Sequence, residues 1–312
     1  MSTPPVRFGL QLPQEITDPG LLRELALEAE RRGFHSLWLY DHLFDYPSAG
    51  NATILEAFTL MTTVAAWTRS IRVGTLVFCG AYRPPALLAK MAATLDVLSG
   101  GRLEFGYGAG WHETEHQAYG HSFPGAAERI DRMEEGLAIL RAMWTEGKVS
   151  FHGDHYHLEG AVCEPRPLQR PHPPITIGGG GEKLLLRAVA RHADWWNYYP
   201  GPLPEYEHKV EVLRRHCERE GRDPDGIRRS LVVPTVTAEW EKEVRDQLEG
   251  ARARGLLWTR GTGYVQGTPD IVVPRFLDYA RRGVSLFILV LPDPTDLKQL
   301  EFVERNIAGE FA

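Results

Sequence analysis

The chain of 312 residues could form one large domain or two ordinary ones, and its 43% hydrophobic and 24% charged content is that of a globular protein. A net charge of −6 argues against a general nucleic-acid or membrane-surface binder. Cys79, Cys163 and Cys217 are too widely spaced for a CxxC metal pair or a disulfide framework. The opening MSTPPVRFGLQLP lacks a basic flank before an apolar core, and no apolar run approaches the ~20 residues of a membrane span. A reducing cytoplasm is the expected setting.

In chain order, VRFGLQL (6–12) reads as a first strand, and Leu21, Leu22, Leu25, Ala26 and Ala29 then share a helical face that Gly33 ends. SLWLY (36–40) is a second strand with a helix near 53–67. IRVGTLVF (71–78) is a third, followed by the helical PALLAKMAATLDVL. RLEFGYGAG (102–110) is a fourth, and Ile130, Met133, Leu137, Leu140 and Trp144 mark a long amphipathic helix. PPITIGGGG (173–181) is a fifth with a helix near 182–192, and ADWWNYY (193–199) a sixth with a helix near 204–220. SLVVPTV (230–236) is a seventh. VSLFILVLP (284–292) is the eighth, apolar on both faces as a strand buried on both sides should be.

Eight strand-then-helix units predict an α/β fold, a (β/α)8 barrel, for which ~250 residues plus insertions is typical. A doubly wound open sheet would show the same alternation. Two segments exceed the plan. Residues 149–174 predict a hairpin turning at Gly153-Asp154 with a proline-rich return, and 255–270 reads as a loop interrupting the seventh crossover. Neither has the apolar periodicity of a separate unit, so 1–312 reads as a single domain with insertions.

A parallel barrel carries its site where strands end and βα loops begin. Those positions collect Gln11, Asp41, His42, the 76–82 segment, Ala109 to Glu113, the glycines 178–181, and Tyr198 with Tyr199. The glycine run IGGGGEK opens a helix, where backbone N–H groups and the helix dipole favour an anion; a tight turn is the plainer alternative, but four consecutive glycines exceed what one turn requires. It is not the GxGxxG dinucleotide fingerprint. The segment His112-Glu113-Thr114-Glu115-His116 matches HExxH, which on a helix could bind zinc with Glu113 as base. The longer zinc-protease pattern then fails at Tyr119 and Ser122, so a zinc hydrolase is a remote alternative and no metal is expected. Cys79 sits in an apolar run and reads as packing. Asp41 and His42 could merely cap and fill a loop, but a histidine that moves protons near neutral pH, its tautomer fixed by a carboxylate, suits a barrel rim better.

The stretches GFHSLWLYDHLF, RVGTLVF, RPPALLAKMAATLDVLSGGRLEFGYGAGW and PPITIGGGGEKLLLRAVARHADWWN together resemble the bacterial luciferase-like superfamily, and within it the deazaflavin oxidoreductases that use coenzyme F420. The resemblance runs from Val6 to about Arg229. It implies a TIM barrel with the deazaflavin in the mouth, and a non-prolyl cis peptide between Leu76 and Val77 behind the ring. It further implies a phosphate loop at Gly178, Gly179, Gly180 and Gly181, with Ala109 and Gly110 also at the cofactor. His42 matches the histidine at the ring's reactive centre, with Asp41 as its orienting neighbour. One departure stands out: a sugar-phosphate dehydrogenase branch carries a proton-donating Glu where this chain has Trp111.

The expected activity is therefore hydride transfer between F420 and an unidentified small organic substrate, with His42 handling the proton. An FMN-dependent luciferase-like monooxygenase is the alternative. The longer anionic tail of F420 calls for basic residues, for which Lys183, Arg187 and Arg83 are candidates. Gln11, Phe44, Trp111, Tyr198 and Tyr199 are the expected substrate pocket. A homodimer is the expected assembly.

Overall fold

The computed structural model describes residues 5–44, 53–254, 256, 263–293 and 295–311. Its strands are β1 (Arg7–Gln11), β2 (Ser36–Leu39), β3 (Arg72–Thr75), β4 (Phe78–Cys79), β5 (Leu103–Gly108), β6 (Val149–His152), β7 (His157–Ala161), β8 (Ile175–Gly178), β9 (Trp195–Tyr198), β10 (Arg228–Thr237), β11 (Val265–Gly267) and β12 (Val284–Val290). The order β1-β2-β3-β5-β8-β9-β10-β12 is parallel throughout, and β12 pairs back onto β1. That closed eight-stranded ring, wrapped by helices, is the (β/α)8 barrel. Among the described residues no helix is long and apolar enough to cross a membrane.

Local chemistry sets the first unit. Asp18 caps the helix Pro19–Arg31 by accepting from Gly20 N–H at 2.8 Å, and Gly33 at φ 78° releases the chain toward β2. Strand alternation then sorts the side chains. Leu37, Leu39, Phe105, Trp196, Phe287 and Leu289 join the helices in the main core. Their neighbours Trp38, Trp195, Leu286 and Ile288, with Leu76 and Val232, form a separate apolar plug inside the barrel. A packed interior leaves room for a site only above this plug, at the C-terminal ends of the strands.

The third strand is broken where the sequence reads as one continuous run. β3 stops at Thr75, the Leu76–Val77 peptide is cis, as the family resemblance implies, and β4 resumes at Phe78. Glycines on β5 make room for this bulge: a Cβ at Gly106 would collide with the Thr75 carbonyl oxygen, and one at Gly108 would lie 2.6 Å from Val77 Cγ2. Backbone cannot move aside as a flexible side chain can. Gly106→Ala is therefore expected to destabilise the fold by about 1–3 kcal/mol, read as a Tm several degrees lower in a thermal melt.

Other expectations are met or shifted. The 149–161 hairpin forms as β6–β7, closed by Gly153 N–H to Tyr156 O at 2.9 Å. The 255–270 segment does not remain a loop. Residues 255 and 257–262 lie outside the described residues, but β11 adds in parallel to β10 and a helix starts at Pro269. Its register puts Val265 beside Thr235, so a three-residue strand covers the part of β10 that projects past β9.

Candidate active site

β2 ends at Leu39, one residue sooner than its apolar run suggests, which frees Asp41 and His42 from strand alternation. Both line a cavity of about 390 Å³ at the strands' C-terminal ends. Leu76, Val77 and Val232 make its floor, Gly178 to Gly180 one side, and Trp111, Tyr198 and Tyr199 further walls. Cys79, Tyr82, His112, Glu115 and Asn197 complete it; the first three lie in segments expected at the strand ends, whereas Glu115 and Asn197 were not expected there.

The carboxylate that orients His42 is Glu115, not Asp41. His42 Nδ1 lies 2.9 Å from Glu115 Oε2, and Glu115 Oε1 accepts from Leu43 N–H at 2.8 Å and, more weakly, from Phe44 N–H at 3.4 Å. The Tyr82 hydroxyl donates to Oε2 at 2.9 Å. An ionised carboxylate only accepts, so His42 Nδ1 carries a proton and Nε2 is left as the ring's exchangeable position. Burial of Glu115, which is 1% exposed, opposes its ionisation. The donors from His42, Leu43 and Tyr82 overcome that burial and hold its carboxyl down at about 2.

A depressed carboxyl stabilises the fold fully above its unfolded value and loses that contribution as pH falls through the folded value. The window for Glu115 runs from 4.5 down to about 2. Acid titration followed by circular dichroism should show wild type losing stability across that window, and Glu115→Gln losing less of it.

Asp41 has a different task because a better partner faces it. Arg83 donates to its two oxygens at 2.8 and 2.9 Å, and Cys79 N–H donates at 2.9 Å. Arg83 also pairs with Glu56, which caps the helix Ala57–Trp67. Asp41 thereby ties the β2 exit to β4 and that helix, a bidentate and charge-assisted strut. Arg83, so engaged, is withdrawn as a binder of a cofactor tail. Arg187 lies 3.8 Å from Glu134 on the helix Ala126–Thr145. Lys183 is exposed beside the glycine turn.

The glycine turn is shaped by close approach. Gly179, at φ 119°, donates its N–H to Asn197 O at 2.9 Å and accepts from Trp196 Nε1 at 2.8 Å. A Cβ on Gly180 would enter the Tyr198 ring. Among the described residues no acceptor takes the Gly180 and Gly181 N–H groups. Gly178, Gly179 and Gly180 line the cavity, whereas Gly181 is exposed and starts the next helical turn. An apolar floor beside a glycine turn with open donors fits a ring carrying an anionic tail.

Besides Gly181, three expected positions fall outside the lining. Gln11 is half-buried at the end of β1 beside Trp38, Ala109 packs on the main core, and Phe44 stacks on Tyr119 at 6.4 Å and meets His112 at 5.7 Å. Gly110 lines the cavity at φ 74°.

The HExxH segment spends its groups separately. His112 caps the helix Glu113–Ala118 by accepting from Glu115 N–H at 3.3 Å. His116 Nδ1 donates to His112 O at 2.9 Å, which leaves its Nε2 to face Cys79 Sγ at 3.7 Å. Glu113, the would-be base, is exposed and held by Gln117 at 3.0 Å. Burial pushes the Cys79 thiol up to about 12, so it stays protonated as an inert packing group.

The profile of a family described as luciferase-like monooxygenase matches residues 4–280. An F420-dependent glucose-6-phosphate dehydrogenase of Kineococcus radiotolerans is 29% identical over 272 residues, covering 80% of this chain and 79% of the relative. An FMNH2-dependent dimethylsulfone monooxygenase of Pseudomonas putida is 34% identical over 223 residues, covering 72% and 60%. Among solved structures, an F420-dependent secondary alcohol dehydrogenase in complex with an F420-acetone adduct superposes with a TM-score of 0.84 at 20% identity, covering 97% of this chain and 98% of that one. At that identity the likeness speaks for the fold.

Proposed function

From the premise that the chain belongs to the luciferase-like monooxygenase family, we propose that it is an F420-dependent oxidoreductase transferring a hydride between the deazaflavin and a small organic substrate. The observation that carries the reading is His42, set on Glu115 in a cavity that Leu76, Val77 and Val232 also line. When bound, the deazaflavin supplies hydride chemistry and, having carbon at the ring's fifth position, does not usefully activate oxygen.

The chain's own residues divide the remaining work. Leu76, Val77 and Val232 would support the ring and keep water from its underside. Gly178, Gly179 and Gly180 would face its phosphate, with Lys183 available to the tail beyond. His42 Nε2 takes a proton from the substrate oxygen or returns one, while Glu115 fixes the ring and stabilises the imidazolium that forms. Asp41 acts at one remove by bracing the β2 exit through Arg83 and Cys79.

A second reading, an FMN-dependent monooxygenase, is favoured by the 34% identical relative, since both cofactors bring a tricyclic ring and a phosphate to such a cavity. Oxygen separates the two. Under the F420 reading, turnover with the deazaflavin persists in anaerobic buffer. Turnover that needs reduced FMN and stops without oxygen would overturn it.

A further inference from the structure

We propose that the substrate is an uncharged, largely apolar carbonyl or carbinol compound, and that the charge of the cavity lining excludes phosphate esters and carboxylates. The inference rests on the oxidoreductase reading above and deepens it.

Among the described residues that line the cavity there is no lysine or arginine. Two guanidiniums stand behind the lining: Arg83 has its donors on Asp41 and Glu56, and Arg129 has its donors on the Gly110 and Pro124 carbonyl oxygens. His112 is no substitute cation, because burial, with His42 and His116 alongside, lowers its pKa despite Glu115. The Tyr198 and Tyr199 hydroxyls, pushed up to about 12 by burial, stay neutral. The carboxylates in the lining, Asp41 and Glu115, are already engaged by Arg83 and by His42. Among the described residues the glycine turn is the anion-friendly feature, and under the proposed function the cofactor's phosphate would take it. A substrate anion would thus be buried without a free lysine or arginine to pair with, which costs more than apolar contact returns.

The lining favours an apolar guest for a second reason. Trp111 is 56% exposed at the mouth and packs edge-on against His42 at 5.5 Å and His112 at 5.1 Å. Tyr199, 43% exposed, also faces the cavity. Ring and substrate would share this one cavity, which favours a small guest. In the oxidising direction the carbinol C–H bond breaks with its electron pair leaving as hydride for the deazaflavin. The O–H proton passes to His42 Nε2, and the C=O bond forms; the alcohol loses two electrons and the cofactor gains them.

The test is a calorimetric titration of the F420-saturated protein with cyclohexanone, butan-2-one and acetophenone, and separately with glucose 6-phosphate. Steady-state oxidation of cyclohexanol and of the sugar phosphate runs in parallel. At least one ketone should bind, and the neutral alcohol should be preferred in kcat/KM by roughly 10²-fold or more. Trp111→Lys, which places a cation at the mouth, should weaken ketone binding and bring in glucose 6-phosphate binding. Sugar-phosphate binding at least as tight as the ketones, or no binding by all three ketones, overturns the inference while F420 binding still upholds the oxidoreductase reading. A protein that binds no F420 overturns both.

Discussion

His42→Ala is expected to lower kcat/KM by about 10²- to 10⁴-fold while cofactor affinity changes little. The reason is a separation of tasks visible in the lining. Leu76, Val77, Val232 and the glycine turn make the surfaces that a ring and phosphate would rest on, whereas His42 contributes a proton-carrying nitrogen. Steady-state kinetics together with a binding titration on the same variant check both halves. Retained turnover would remove His42 from the chemistry, and lost binding would make it a cofactor-holding residue.

Glu115→Ala is expected to be the most damaging single change, costing about 3–5 kcal/mol of stability together with most of the activity. Its carboxylate is buried and takes donors from His42, Leu43, Phe44 and Tyr82, so removal leaves several partly buried donors unpaired at once. Glu115→Gln keeps the volume and an acceptor oxygen, so its stability loss should be smaller, about 1–3 kcal/mol by denaturant titration. It still removes the charge that holds His42 in one tautomer, and kcat should fall by roughly 10²-fold. Because the two residues act as a unit, the double variant His42→Ala/Glu115→Gln should lose little more kcat than His42→Ala alone. Additive losses would show that Glu115 serves the reaction independently of His42.

The barrel was legible because its signal is periodic. Eight apolar runs alternating with helical faces leave few topologies open, and the ends of those runs already placed Asp41, His42 and the glycine turn at one rim. The break in the third strand left no mark in residue type, since Leu76 and Val77 are as apolar as their neighbours. Its position came from the family resemblance, while its physical trace is the pair Gly106 and Gly108 across the way. β11 escaped notice because Val265-Gln266-Gly267 is too short to show alternation.

The pairings of Asp41 and His42 were misassigned because adjacency in sequence suggested adjacency in function. Arg83 and Glu115 reach them from 42 and 73 residues away, across βα loops that only the closed barrel brings together. One signal for Glu115 was available. On a helix, His112, Glu115 and His116 share a face by their three- and four-residue spacing, while Glu113 turns away from it. Reading HExxH as a metal motif drew attention to Glu113, which ends up exposed, and past the carboxylate that is buried.

The most direct measurement of the central claim is a side-by-side binding titration of the apoprotein with oxidised F420 and with FMN, followed by quenching of tryptophan fluorescence. Saturable binding of F420, tighter than that of FMN, is the result the proposed function predicts. Tight binding of FMN with none of F420 would contradict it.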